Sequence, residues 1–220
     1  MKNKRLVVSQ DTQGVFWQQN RAILMLFESK TGNRYIYIPY DILLFHMIQK
    51  YNRYKIMGVF FDYPTKGFHL RELVRLTMIT MPSMISHIKE LVKEELIIKE
   101  EKGIYPTYKA NIESKKYNIY KVQNLILRLN NSGFLDYLYE LCIPDAIILF
   151  GSASRGEDSE KSDIDLFVQS KEKKTDLGKY EKIFKRKINL YFESNFNKLP
   201  NELKNNILNG QIVRGYLKVF

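Results

Sequence analysis

Residues 146–168 read AIILFGSASRGEDSEKSDIDLFV, and this stretch decides how the carboxyl-terminal part of the chain folds. The run from Ala146 to Phe150 is apolar at every position, which predicts a strand that is buried on both faces. Gly151 ends the run and lets the backbone turn sharply and approach a ligand closely. A polar loop follows, and a second strand is predicted to begin at Asp163.

Two carboxylates, Asp163 and Asp165, open this second strand on either side of Ile164. Because successive side chains of a strand alternate between its faces, both acids share one face and Ile164 faces the core. Neighbouring carboxylates repel each other unless a cation neutralises them, and Mg²⁺ takes hard oxygen ligands together with substrate phosphates. The N–H groups expected at a helix start at Ser152 favour phosphate. The pattern therefore indicates a site for Mg²⁺ and a phosphorylated ligand.

The strand, the Gly-Ser pair, the basic loop and an Asp-x-Asp that begins eleven residues after Ser152 resemble the DNA polymerase β-like nucleotidyltransferase superfamily, in particular its minimal members. The resemblance covers residues 146–192. It implies that Gly151 and Ser152 hold the triphosphate of an NTP, with ATP the expected nucleotide, and that Asp163 and Asp165 are catalytic and bind Mg²⁺. The implied reaction is an in-line displacement at the α-phosphorus with pyrophosphate leaving. Arg155 would neutralise phosphate charge, or it is a solvated loop charge.

Members of this superfamily usually carry a third carboxylate on a neighbouring strand. The candidate strand is 187–193, and its position most like the third acid is Asn189, which cannot act as a base. Glu193 is the remaining candidate catalytic acid, but it lies roughly 13 Å further along at about 3.3 Å per residue. Two functions therefore stay open. One is a Mg²⁺-dependent nucleotidyltransferase with an unknown acceptor, and the other is a non-catalytic, nucleotide-sensing transcriptional regulator or an antitoxin-type partner protein.

Residues 47–110 predict three helices and a hairpin. The helices are expected at 47–61, 68–76 and 82–95, with Ile85, Ile88, Leu91 and Val92 of the third facing inward, and the strands at 96–101 and 104–110.

This layout resembles a winged helix-turn-helix, in which one helix docks in the DNA major groove. The resemblance implies contacts with double-stranded DNA from Arg71, Arg75, Ser83, Ser86, His87, Lys89 and Lys93. Lys99, Lys102 and Lys109 lie on the expected wing. A winged helix that only binds protein or dimerises is the alternative.

The fold class expected for the whole chain is α+β or α/β, a winged helix-turn-helix followed by a small nucleotidyltransferase domain with a mixed β-sheet. Residues 111–143 are expected to be linker helices, and residues 144–220 the nucleotidyltransferase domain. Residues 1–46 show no sustained periodicity and are interpreted either as an extension of uncertain order, with the functional chain starting at Met47, or as a strand pair.

The charge of the chain points towards polyanions. The formal net charge is +11, with an excess of +4 in residues 47–110, zero in 111–145 and +4 in 146–220. Such a distribution favours the binding of nucleic acid or nucleotides. The alternative is that the lysines only keep the protein soluble. One cysteine and three histidines argue against a disulfide scaffold and a zinc site. No apolar run approaches 18 residues, so we expect a cytoplasmic protein that does not bind membranes. A second copy of the chain or a protein acceptor is a further candidate partner.

Overall fold

A computed structural model of the chain describes residues 51–101 and 103–219, and of the first 50 residues the backbone of four strands. The chain divides into two compact units, residues 1–54 and 55–220. In the first unit the strands form an antiparallel sheet in sequence order: β1 (Leu6–Val7), β2 (Phe16–Gln19), β3 (Ala22–Ser29) and β4 (Gly32–Pro39). Residues 1–46 were interpreted either as an extension or as a strand pair, and the structure has four strands there. Met47, the proposed start of the functional chain, lies outside the described residues.

Three helices and a hairpin come next, and all of them except residues 52–54 of the first helix belong to the second unit. The elements are α1 (Asn52–Asp62), α2 (Leu70–Thr77), α3 (Met81–Lys93) and the antiparallel strands β5 (Ile97–Glu100) and β6 (Thr107–Ala110). Helix α2 ends where Met78 adopts a left-handed conformation and donates its N–H to the Val74 carbonyl. Pro82 lies in the first turn of α3, where a missing N–H costs little. Three side chains of α3 are buried, Met84, Ile88 and Leu91, whereas Ile85 is 37% exposed, which corrects its predicted inward position.

Two further helices follow, α4 (Lys115–Asn131) and α5 (Phe134–Cys142), separated at Gly133 by a left-handed residue with φ of 73°. Residues 111–143 were predicted to be linker helices, and the helices contribute side chains to the cores on both sides. Tyr117 of α4 is buried in the core of the first three helices, and its hydroxyl donates to the Phe60 carbonyl at 2.8 Å. Leu129 of α4 and Leu138 of α5 are buried in the core of the following sheet. None of the helices in the described part of the chain is both long and apolar enough to cross a membrane.

The second sheet contains four strands in the order β10-β7-β8-β9, and only the pair β8–β9 is parallel, so the sheet is mixed, as predicted. Its strands are β7 (Ala146–Phe150), β8 (Ile164–Val168), β9 (Ile188–Phe192) and β10 (Gln211–Gly215). Helix α6 (Gly178–Phe184) connects β8 to β9, and a 3₁₀ turn (Phe196–Lys198) and α7 (Asn201–Leu208) precede β10. Separate apolar clusters contain Ile147 and Ile148, which face opposite sides of β7. Burial on both faces explains the unbroken apolar run.

Candidate functional site

The candidate site lies at one edge of the mixed sheet, where β7 ends and β8 and β9 begin. Phe150, the last residue of β7, pairs with Asp165 of β8, and Asp165 pairs with Asn189 of β9. This register brings the turn at Gly151, both predicted aspartates and Asn189 together. Ser152, Asp163, Asp165 and Asn189 are all partly exposed, so a ligand can reach them.

Gly151 is required at this edge for two reasons. Its φ of 72° belongs to the left-handed region, and a Cβ at this position would lie 2.9 Å from Oδ2 of Asp165. The Gly151 carbonyl accepts hydrogen bonds from Oγ of Ser154 at 2.8 Å and Nη1 of Arg155 at 3.1 Å. Residues Ser152–Ser154 form a single 3₁₀ turn in place of the predicted helix start. The backbone turn therefore lies directly against one of the two carboxylates.

Asn189 bridges the two aspartates. Its Nδ2 donates to Oδ1 of Asp165 at 2.9 Å and to Oδ2 of Asp163 at 3.2 Å. The orientation of the amide follows from this network, because ionised carboxylates only accept hydrogen bonds. The positive end of the amide dipole thus lies between two negative groups and reduces their repulsion. A third carboxylate at this position would have the opposite effect.

A buried charge cluster supports the loop that leads into β8. The Asp158 side chain is 4% exposed, and its carboxylate pairs with Nζ of Lys121 at 3.0 Å and with Nη1 of Arg186 at 2.6 Å. Burial lowers the pKa of Lys121, and the negative charge of Asp158 opposes this effect. Gly156 packs against α4, since a Cβ there would lie 2.5 Å from the Asn118 carbonyl. Sequence reasoning missed this cluster, although Lys121 follows the buried Tyr117 by one helical turn, which was an available signal.

The structure does not bring Glu193 into the site. Glu193 follows β9, its N–H donates to the carbonyl of Val168 at the far end of β8, and its Oε1 accepts the N–H of Asn195 at 2.9 Å. The predicted catalytic role of Glu193 is therefore corrected, because the residue lies at the opposite end of the strand from Asn189. Arg155 lies beside the Gly151 turn, but Glu157 already pairs with its Nε at 2.7 Å.

The residues predicted to contact DNA lie on α2 and α3. The exposed members are Arg71, Arg75, Ser86, Lys89 and Lys93, and the partly buried ones are Ser83 and His87. Nδ1 of His87 lies 3.6 Å from the Glu90 carboxylate. Arg71 and Arg75 line one cleft together with His69 and Tyr105, which belongs to the loop between β5 and β6.

The lysines predicted for the wing are largely neutralised. Nζ of Lys99 lies 2.5 Å from Glu101, and Nζ of Lys109 lies 3.0 Å from Glu100. Lys102 lies outside the described residues. The exposed positive charge of this part of the chain is therefore carried by α2 and α3 more than by the hairpin.

Within residues 51–101 and 103–219, no three His, Cys, Asp or Glu side chains gather in a way that would hold a metal ion. The aspartate pair nevertheless suits Mg²⁺, which commonly uses one or two protein carboxylates and completes its shell with water and substrate phosphates. A nucleotide phosphate would supply the remaining hard ligands.

The chain was compared with family models, curated proteins and solved structures. No curated protein and no solved structure matches the chain. Residues 136–214 match the model of a family described as "Polymerase beta, Nucleotidyltransferase". The matched segment runs from α5 into β10 and contains the Gly151 turn, both aspartates and Asn189. This segment is therefore similar to the nucleotidyltransferase superfamily, as the spacing of its Gly-Ser and Asp-x-Asp motifs predicted.

Proposed function

We propose that the chain transfers a nucleoside monophosphate from an NTP, with ATP the first candidate, to an acceptor in a Mg²⁺-dependent reaction. The observation that carries the proposal is the meeting of Asp163, Asp165 and the Gly151 turn at one sheet edge inside the segment that matches the nucleotidyltransferase family. The arrangement supplies a carboxylate pair beside a backbone turn that has no side chain in the way of a phosphate.

Each residue of the site would have a role in this reaction that follows from its chemistry. Asp163 and Asp165 would hold Mg²⁺, which when bound supplies the positive charge that the triphosphate and the leaving pyrophosphate need. The turn at Gly151 and Ser152 would orient the phosphates for in-line displacement. Arg155 would reach a phosphate by exchanging its partner Glu157 for the ligand. Asn189 cannot accept the proton of the acceptor, so turnover depends on a base from elsewhere or on an acceptor that is already ionised.

The test is a labelling assay with α-labelled NTPs, Mg²⁺ and cell lysate as the source of acceptor. Asp163→Asn and Asp165→Asn should each abolish labelling and weaken Mg²⁺-dependent nucleotide binding measured by calorimetry. Asp136→Asn is the matched control, because Asp136 forms an exposed pair with Arg214 of β10 and should leave both readouts unchanged. Unchanged nucleotide binding in both site variants would contradict the assignment of these residues.

A second candidate function is a nucleotide sensor without turnover. The bridge from Asn189 to both aspartates favours it, because the amide takes the position expected of a catalytic carboxylate. The same assay separates the two functions. Mg²⁺-dependent binding of NTP with no labelled product from any acceptor supports the sensor, whereas a labelled product supports the transferase.

We also propose that residues 51–110 form a winged helix that binds double-stranded DNA. The order of α1, α2, α3 and the β5–β6 hairpin supports this, as do the exposed cations Arg75, Lys89 and Lys93 on α2 and α3. Phosphate contacts supply affinity that falls with salt. Fluorescence anisotropy of a labelled duplex with the full chain at low and high salt tests the proposal, and binding that does not respond to salt would favour a protein-binding winged helix.

A further inference from the structure

Arg186, two residues before β9, contacts the segment that carries Asp163. Its Nη2 donates to the Asp163 carbonyl at 2.9 Å, and its Nε donates to the Ser162 carbonyl at 2.5 Å. The third branch of the guanidinium, Nη1, pairs with Asp158 at 2.6 Å. The side chain is 14% exposed, so these bonds form in a largely dry environment. Only a planar, forked donor can reach three acceptors in this way.

Asp163 needs such support because it lies outside the strand. Asp165 is held within β8 by its pairing with Phe150 on one side and Asn189 on the other. Asp163 precedes the first residue of β8, and the register of the parallel pair begins one residue later, with Ile164 opposite Ile188. The Asp163 carbonyl accepts its hydrogen bond from the Arg186 side chain, so this side chain helps to set the position of the Asp163 main chain.

The loop that leads into β8 is held at Asp158 by a side chain of α4. Nζ of Lys121 donates to the carbonyl of Asp158 and lies 3.0 Å from its carboxylate. Glu160, which also acts electrostatically on Lys121, accepts the Thr65 hydroxyl at 2.6 Å. The cluster therefore contains two cations, Lys121 and Arg186, and two carboxylates, Asp158 and Glu160. Because these charges balance, Arg186 stays paired with Asp158 and is not expected to bind an anion from solution.

We propose that Arg186 is a positioning residue that sets the distance between the Asp163 and Asp165 carboxylates. The inference rests on the proposed function in that the carboxylate pair is taken as the Mg²⁺ site. Arg186 touches no reacting atom. It fixes the Asp163 main chain, so that the carboxylate meets Asp165 and the amide of Asn189 before metal arrives.

The test compares the full-length wild type with Arg186→Lys, which keeps the charge but loses the fork. Arg214→Lys is the matched control, because Arg214 forms an exposed ion pair with Asp136 at 2.8 Å, away from the site edge. The first readout is the side-chain NH₂ resonances of Asn189 in metal-free protein, which report its bonds to both aspartates. The second is the Mg²⁺-dependent part of ATP affinity, measured by calorimetry.

Arg186→Lys should shift the Asn189 resonances and weaken Mg²⁺-dependent ATP affinity by about 10-fold, the usual effect of losing an outer-shell partner, while Arg214→Lys changes neither. Unaltered resonances and affinity in a folded Arg186→Lys protein overturn the inference. If Arg186→Lys does not fold, Asp158→Asn serves instead. It removes the negative charge that pairs with Nη1 and leaves only a neutral acceptor, so Arg186 is held less firmly and the same resonances should shift. Wild-type resonances in this variant overturn the inference. If the wild type binds no ATP with Mg²⁺, the proposed function fails, and the metal-free resonances alone decide the role of Arg186.

Discussion

Replacement of Asn189 by aspartate tests the electrostatics of the site most directly. Without metal, Asn189→Asp removes the two hydrogen bonds of 2.9 and 3.2 Å that the amide donates to Asp165 and Asp163. Hydrogen bonds to charged groups contribute about 1.5–3 kcal/mol each, and the lower end applies because the site is partly exposed. The loss is therefore about 3 kcal/mol. The added charge contributes further repulsion, which solvent reduces.

We expect the free energy of unfolding of Asn189→Asp to fall by about 3–4 kcal/mol in the absence of metal and to recover largely with saturating Mg²⁺, because the ion binds the folded state alone. A base beside the aspartate pair should also raise nucleotidyl transfer, by about 10²–10⁴-fold. Urea unfolding with and without Mg²⁺ measures the first effect, and the labelling assay measures the second.

Asn206→Asp is the matched control, since Asn206 is exposed on α7 and the same charge added there should change stability by about 0.5 kcal/mol or less. If Asn189→Asp unfolds like this control without metal and gains no more from Mg²⁺ than the wild type, the bridging role of Asn189 is refuted.

Three further predictions concern other parts of the described chain. Gly151→Ala should lower stability by about 1–3 kcal/mol in urea unfolding and weaken Mg²⁺-dependent ATP binding, because it combines a φ of 72° with a Cβ 2.9 Å from Oδ2 of Asp165. Arg75→Gln and Lys89→Gln should each reduce the slope of log affinity for duplex DNA against log salt by about 0.9, and an unchanged slope in both would remove these residues from the interface. Burial raises the pKa of Tyr117 above its ordinary value of 10.0, so the stability that its neutral form contributes is present below pH 10.0 and lost as the pH rises above it. Tyr117→Phe should lose about 1 kcal/mol with the bond to the Phe60 carbonyl and should not show this alkaline loss when unfolding is followed from about pH 8 to about pH 11.

The site edge was predictable because each of its parts is encoded locally. The apolar run of β7 needs both faces buried, Gly151 marks the turn, and Asp163 and Asp165 flank the buried Ile164, although β8 itself begins at Ile164. The resemblance selected Asn189 as the position most like the third acid, and in the structure it is the register partner of Asp165 in the parallel pair. Neighbouring residues of one strand need no tertiary information to be placed relative to each other.

The support beneath the site was not predictable in this way. Asp158 lies 37 residues from Lys121 and 28 from Arg186, and charged residues in a polar loop ordinarily face solvent. Only the packing of the loop onto α4, at Gly156, buries the three groups together. Likewise, the inward face of α3 was predicted correctly at Ile88 and Leu91 but not in its first turn, where Met84 is buried and the predicted Ile85 is exposed.

The helices predicted to be a linker belong to the cores that they join, which composition alone could not show. Residues 111–145 carry no net charge, which was interpreted as the mark of a neutral spacer. In the structure, α4 contributes Tyr117 to one core and Leu129 to the next, and Arg128 pairs with Asp62 of α1. A segment that packs on both sides cannot carry unpaired charge without a large desolvation cost, and the lysine it does bury, Lys121, is paired.

The positive excess lies outside residues 111–145, with +3 in residues 1–46 and +4 in each of the two flanking segments, 47–110 and 146–220. These are the segments that would meet DNA phosphates and nucleotide phosphates in the proposed functions. Helix α4 itself contains four cations and no carboxylate, and the carboxylates that balance them within residues 111–145 lie outside the helix. Three of its cations pair with carboxylates of other elements: Lys116 with Glu94, Lys121 with Asp158 and Arg128 with Asp62. The positive charge of α4 therefore supports the packing of the chain, whereas the flanking segments retain the cations that the proposed functions need.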